Sequence, residues 1–146
     1  MLGDNDATVR HIDHVAIRVS DLETAIEFYG DVLGMDIEDR DRYGGPDWTS
    51  GEEVPYVAAV AGSSRIHMWP TGGEAVDVPT QEHICLVVRS ADLDSEEEFA
   101  SVLDDLRDQG VEVVEGEPKP RTATMGRAWT AYVTDPDGRT VELRMY

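Results

Sequence analysis

The chain has one cysteine, Cys85, and one lysine, Lys119. A single thiol supports neither an intrachain disulfide framework nor a multi-cysteine zinc site. No apolar run approaches the roughly 18 residues of a membrane-spanning helix. The start, MLGDNDATVR, is acidic where a secretory leader is basic and then apolar, so a cytoplasmic protein is expected. Positive charge is scarce too: 12 Lys and Arg face 31 Asp and Glu, a net charge of -19. Binding to phosphate backbones or anionic lipid depends on clustered cations, so neither nucleic acid nor membrane is an expected partner. What is present is 146 residues, 40% of them hydrophobic, which suits one domain with a core of its own.

Two passages share one order of elements. His14-Val-Ala-Ile-Arg-Val19 alternates with a period of two and reads as a strand. Ser20 or Asp21 caps a helix with Leu22, Ala25, Ile26, Tyr29 and Leu33 at helical spacing, stopped by Gly34. Val54 to Val60 and Arg65 to Trp69 read as strands, after a loop from Asp41 to Gly51 that holds Gly44, Gly45 and Pro46. Then the order recurs: a strand from His83 to Val88, a helix from Glu96 to Gln109 stopped by Gly110, and strands from Val111 to Tyr146 around the turn Asp135-Pro-Asp-Gly138. Gly34 to His67 and Gly110 to Glu142 differ in length by one residue. The chain therefore reads as two strand-helix-strand-strand-strand modules, 11–70 and 82–146, joined by a linker over 71–81.

Strand alternation selects the chemistry. His14, His67, His83 and Glu142 each sit on a strand whose opposite face is apolar: Val15 and Ile17, Ile66 and Met68, Ile84 and Leu86, Val141 and Leu143. If the modules pair about an approximate twofold, these four side chains converge. Three imidazoles and one carboxylate suit a divalent ion such as Zn, Ni, Co, Mn or Fe. Arg18, Arg65 and Arg144 share the parity of the ligands and are candidates to clamp a substrate carboxylate. For each the alternative is a salt bridge to one of the many acids. Tyr132 is read as a core ring or as a proton donor, Cys85 as a small buried hydrophobe, His11 as a solvated residue, and Trp48 and Trp69 as pocket-mouth or core rings.

The motifs His14-Val-Ala-Ile-Arg-Val-Ser-Asp21, Phe28-Tyr29, Leu33-Gly34-Met35, His83-Ile-Cys-Leu-Val-Val88 and Asp135-Pro-Asp-Gly138 with Val141-Glu-Leu143 resemble the vicinal oxygen chelate superfamily. That group includes glyoxalase I, methylmalonyl-CoA epimerase, extradiol dioxygenases and the fosfomycin and bleomycin resistance proteins. The resemblance runs from about Ile12 to Tyr146 and implies an α+β fold. Two βαβββ modules would form a curved, half-open mixed β-barrel with helices outside. It also implies a metal that chelates two adjacent substrate oxygens and stabilises an enolate, and often a homodimer acting on a small molecule.

Carried over by position, His14, His83 and Glu142 match family metal ligands. His67 stands where glyoxalase I has a glutamate and the epimerase a glutamine. A bound imidazole cannot also serve as base through the same nitrogen, so the base is open between His67 and other groups. Tyr132 falls where extradiol dioxygenases keep a tyrosine, but Arg127 stands where they place a histidine. The segment Lys119-Pro-Arg-Thr122 with Gly126 looks closest to glyoxalase-domain-containing proteins. The resemblance thus implies a glyoxalase-type lyase or isomerase, with a ring-cleaving dioxygenase or a non-catalytic drug-binding resistance protein as alternatives.

The charge carries its own expectation. Of the 31 acids, 17 are Asp, and they are spread along the whole length. Such a surface resembles the proteins of salt-loving microbes, in which salt screens self-repulsion. The melting temperature is expected to rise steeply between millimolar and molar salt; equal values at both would remove the halophilic reading.

Overall fold

The computed structural model describes residues 9–38, 56–79, 81–89, 95–114, 118–123 and 126–146. The expected loop at 41–51, the first residues of the expected strand at 54–60, Trp48 and part of the acidic loop at 90–98 lie outside these residues. The first module contains β1 (His14–Val19), α1 (Leu22–Ile26), which continues as a π-helix (Glu27–Val32), β2 (Ile37–Glu38), β3 (Val57–Ala61) and β4 (Ser64–Pro70). The second contains β5 (His83–Val87), α2 (Glu96–Asp108), β6 (Lys119–Ala123), β7 (Gly126–Thr134) and β8 (Thr140–Met145).

Each module forms one four-stranded sheet, ordered β1-β4-β3-β2 and β5-β8-β7-β6. In both, the first strand pairs parallel with the last and the other pairings are antiparallel. The duplication inferred from spacing is thus a duplication of topology. The two sheets remain separate, so the barrel is open, and β1 and β5 are the edge strands that flank the seam.

Local chemistry sets the helix ends. Asp21, not Ser20, is the first cap, accepting from the Thr24 amide at 2.8 Å, and Gly34 ends the run at φ +75. Ser95 and Glu98 form a reciprocal capping box on α2. The π-helix was not visible in the spacing. Its wide turn, closed by the Leu33 amide on the Phe28 carbonyl, buries Phe28 and Tyr29 side by side. Gly30 makes the turn compact: a Cβ there would stand 2.8 Å from Ile37 Cγ1.

One core serves both modules. Val19, Leu22, Ile26, Tyr29, Val57 and Met68 from the first pack with Phe99, Leu103, Val133, Val141 and Leu143 from the second. Val15 is the exception to its face: it lies near the start of an edge strand and is exposed. Among the described residues, no helix is long and apolar enough to cross a membrane.

A buried carboxylate clasps the modules together. Asp135 Oδ2 accepts from Tyr29 Oη at 2.8 Å and from Arg139 Nη1 at 2.7 Å, while Oδ1 accepts the Asp137 and Arg139 amides. Arg139 Nη2 in turn donates to the Arg18 carbonyl at the end of β1, and Asp137 accepts from the Ser20 amide. Burial, reinforced by the Asp135 charge, raises the Tyr29 phenol well above its ordinary pKa.

Two expectations follow. Removing the carboxylate in Asp135→Asn strands Arg139 and lowers unfolding free energy by about 3–5 kcal/mol in denaturant titration. The Tyr29 contribution is full below its unfolded pKa of about 10 and fades as the pH climbs above it. The alkaline loss of stability between about pH 10 and 12 is therefore shallower in Tyr29→Phe than in wild type.

Candidate metal centre

His83 and Glu142 project from neighbouring strands of the second sheet. His83 Nδ1 lies 3.2 Å from the Gln81 carbonyl, so that nitrogen carries the proton and donates. Nε2, on the other side of the ring, faces Glu142 Oε2 at 3.0 Å. Two acceptors at that distance repel unless something positive stands between them: a proton on Nε2, or a cation bound by both. Two ligands each about 2.1 Å from an ion, at angles of 90–109°, are roughly 3.0–3.4 Å apart. The observed separation matches both a shared divalent ion and a hydrogen bond from a protonated Nε2.

Glu142 strengthens that fit. Its residue is only 4% exposed. Arg144 Nη2 stands 2.8 Å from Oε1, yet no aligned hydrogen bond reaches that oxygen, which is buried and unsatisfied. A buried carboxylate short of hydrogen bonds is costly, and a bound cation relieves the cost.

His14 and His67 form the second pair, on the first sheet. Asp13 Oδ1 holds His14 Nδ1 at 2.7 Å, an arrangement that orients an imidazole so that Nε2 is its ligand nitrogen. That contact also holds the Asp13 carboxyl below its usual range. The His14 and His67 rings are stacked, with centroids 4.0 Å apart and planes 10° from parallel. Tyr56 stacks on His67 at 4.5 Å, and on Trp69 at 4.8 Å. An imidazole lone pair lies in the ring plane. In nearly parallel planes, only one of the two histidines can direct Nε2 at a given ion; the other must turn out of the stack.

The structure therefore brings the four candidates together as two pairs. Among the described residues, no three His, Cys, Asp or Glu side chains gather closely enough in one chain to hold an ion. A cavity of about 330 Å³ between β1 and β5 is lined by Val15 to Arg18 of β1, by His83 and Ile84 of β5, and by Val76 to Pro79 of the linker, so His83 is the one of the four candidates that lines it.

The other candidates separate. Arg18 lines the seam cavity. Arg65 is committed to Glu38 through two hydrogen bonds of 2.9 Å, the salt-bridge alternative for that residue. Arg144 lies beside Glu142, and Tyr132 stands directly opposite Glu142 across the β7–β8 ladder, with the Arg121 guanidinium 5.6 Å from its ring centre. His11 is exposed. Cys85 corrects an expectation: it is exposed rather than buried, because it shares the polar face of β5 with His83 and pairs with Glu142. Sequence reasoning passed over Thr130, which is buried on this same face opposite Arg144. Its alternation within β7 was the available signal.

Desolvation by its surroundings, then the Glu142 charge, raises the Cys85 thiol above its ordinary pKa, so the residue stays protonated and is a poor nucleophile at neutral pH. Its alkylation rate is expected to rise with a midpoint above about 8.5, the value of an unperturbed thiol. Glu142→Gln is expected to move that midpoint down; an unchanged midpoint would place the two groups apart.

Comparison with known proteins gives a consistent picture. A family model described as Glyoxalase/Bleomycin resistance protein/Dioxygenase superfamily matches residues 11–143. The chain is 33% identical over 140 residues to a probable lactoylglutathione lyase of Synechocystis sp., covering 89% of this chain and 91% of that protein. It is 30% identical over 144 residues to a glyoxalase domain-containing protein of Mycosarcoma maydis, covering 95% and 70%. Among solved structures, an integron cassette protein from the mobile metagenome of V. cholerae superimposes with a TM-score of 0.66 at 25% identity, covering 95% of this chain and 97% of that one.

Proposed function

From the premise that the chain belongs to the Glyoxalase/Bleomycin resistance protein/Dioxygenase superfamily, we propose that it is a metal-dependent glyoxalase-type enzyme, a lyase or isomerase acting on a small substrate with two adjacent oxygens. The observation that carries this reading is the His83 Nε2 to Glu142 Oε2 contact at 3.0 Å, an imidazole nitrogen facing a buried carboxylate. His83, Glu142 and His14 are the residues that would hold the ion, with His67 as a fourth if it turned off the stack. A bound divalent ion supplies Lewis acidity towards the paired oxygens, which lowers the pKa of the neighbouring C–H.

The protein residues supply orientation and proton transfer. Asp13 fixes the tautomer of His14, and the Gln81 carbonyl fixes that of His83. His67, when not a ligand, is within the site to take a proton, and the Tyr132 hydroxyl is the second candidate. Arg18 and Arg144 are placed to hold substrate. Superfamily enzymes often form dimers, and exposed Val15, Trp69 and Val87 on and beside the edge strands support a homodimer; a cytoplasmic location is part of the same reading.

A specific observation favours a second reading. With His67 stacked between His14 and Tyr56, the ligands reduce to His14, His83 and Glu142. Two histidines and one carboxylate suit Fe(II) or Mn(II) in an extradiol dioxygenase, with Tyr132 opposite Glu142 in the pocket.

Metal analysis tests the shared premise. About one ion per chain is expected, lost in His83→Ala and Glu142→Ala; no uptake under any loading condition would leave the drug-binding alternative. Methylglyoxal with a low-molecular-weight thiol should be turned over if the lyase reading holds, whereas oxygen uptake with catechols would select the dioxygenase. His67→Gln should retain metal while changing kcat by at least about tenfold. Unchanged kinetics would remove His67 from the chemistry.

A further inference from the structure

Three buried side-chain polar atoms lack a hydrogen-bond partner among the described residues: Thr130 Oγ1, Glu142 Oε1 and Arg144 Nη1. They share one patch. Thr130 stands opposite Arg144 across the β7–β8 ladder, and Glu142 lies two residues before Arg144 on the same face, about 7 Å away along the strand. Native folds rarely leave such groups unpaired, and three together mark a place where a ligand completes the bonding.

The chemistry of the patch narrows that ligand. Glu142 Oε1 has the Arg144 guanidinium 2.8 Å away, although not in hydrogen-bond alignment. Arg144 Nη1 is a charged donor, and the Thr130 hydroxyl donates or accepts. Two donors side by side, one of them charged, match an anionic oxygen better than a neutral carbonyl. Charge distribution agrees. Lys119, the chain's only lysine, lies opposite Thr130 on β6, and Arg121 pairs with Ala128 two positions along the same face. Lys119, Arg121 and Arg144 thus share one face of β6–β8 with Glu142 among the described residues.

We propose that Thr130 and Arg144 form an anion subsite for an acidic group of the substrate, a carboxylate, phosphonate or phosphate. This rests on the functional reading above in one respect: the acidic group belongs to the molecule whose adjacent oxygens meet the ion at Glu142. The substrate is then a small organic acid or phosphorus oxyacid whose charge sits a few bonds from its oxygen pair.

Titration calorimetry of the full chain at fixed ionic strength, with inorganic phosphate and acetate as probes, tests the subsite without metal. Glu142→Gln cannot hold the ion and releases Arg144 from its carboxylate neighbour. It should bind one or both probes at millimolar levels, several-fold more tightly than wild type. In that background, Thr130→Val and Arg144→Gln should each weaken binding by about tenfold, and Thr130→Ser should restore it. A preference for phosphate points to a phosphoryl or phosphonyl group, and a preference for acetate to a carboxylate.

Failure of Glu142→Gln to bind either probe up to about 50 mM while its circular dichroism is native would overturn the subsite. Equal affinity with and without the Thr130 hydroxyl would do the same. Neither result depends on metal, so a wild-type protein that takes up no ion would sink the enzymatic reading and leave the subsite standing.

Discussion

A carboxylate that is nearly sealed from water needs positive charge close to it, and Glu142 is such a group. One of its oxygens looks at a histidine nitrogen 3.0 Å away, and the other has an arginine beside it with no aligned bond. The Gln81 carbonyl has already claimed the proton on the far side of the His83 ring. The positive charge between Nε2 and Oε2 is then either a proton on Nε2 or a cation bound by both groups. Buried groups of this kind cost stability unless completed, which is why such arrangements concentrate at binding and catalytic sites.

What holds Glu142 in place is a second buried carboxylate a short way back along the chain. Asp135 sits in the turn between β7 and β8 and ties Tyr29, Arg139 and, through Arg139, the end of β1 into one network. That network joins the strand that starts with His14 to the turn that leads into Glu142. The motif Asp135-Pro-Asp-Gly138 therefore works as a fastening between modules: its side chains do not reach the metal-type ligands. Here a strong family signature reports the fold and not the reaction.

The topology was legible because its signals are local and repeated. Alternation around His14 and His83, the stops at Gly34 and Gly110, and the near-equal spacing to His67 and Glu142 fix strands, helices and duplication without any long-range information. The same alternation put His83 and Glu142 on polar strand faces, but it led to an expected meeting of all four candidates, whereas the structure shows two pairs. The stacking of His67 between His14 and Tyr56 was not, since ring orientation depends on side-chain torsions and on a neighbour from another strand. Cys85 was misjudged because a small thiol fits either face of a strand equally well by type. Arg65 became a partner of Glu38 through a contact between strands that spacing cannot rank against the chain's other acids.

The surface and the site show opposite electrostatics. Acids cover a chain of net charge -19, while cations line the face around Glu142. The most direct test of the central claim is anomalous diffraction from crystals of the full chain grown with a divalent transition metal. The account predicts a peak about 2.0–2.2 Å from both His83 Nε2 and a Glu142 carboxylate oxygen. A map with no peak there, and with Nε2 still hydrogen-bonded to Oε2, would mean that a proton fills the gap and would contradict it.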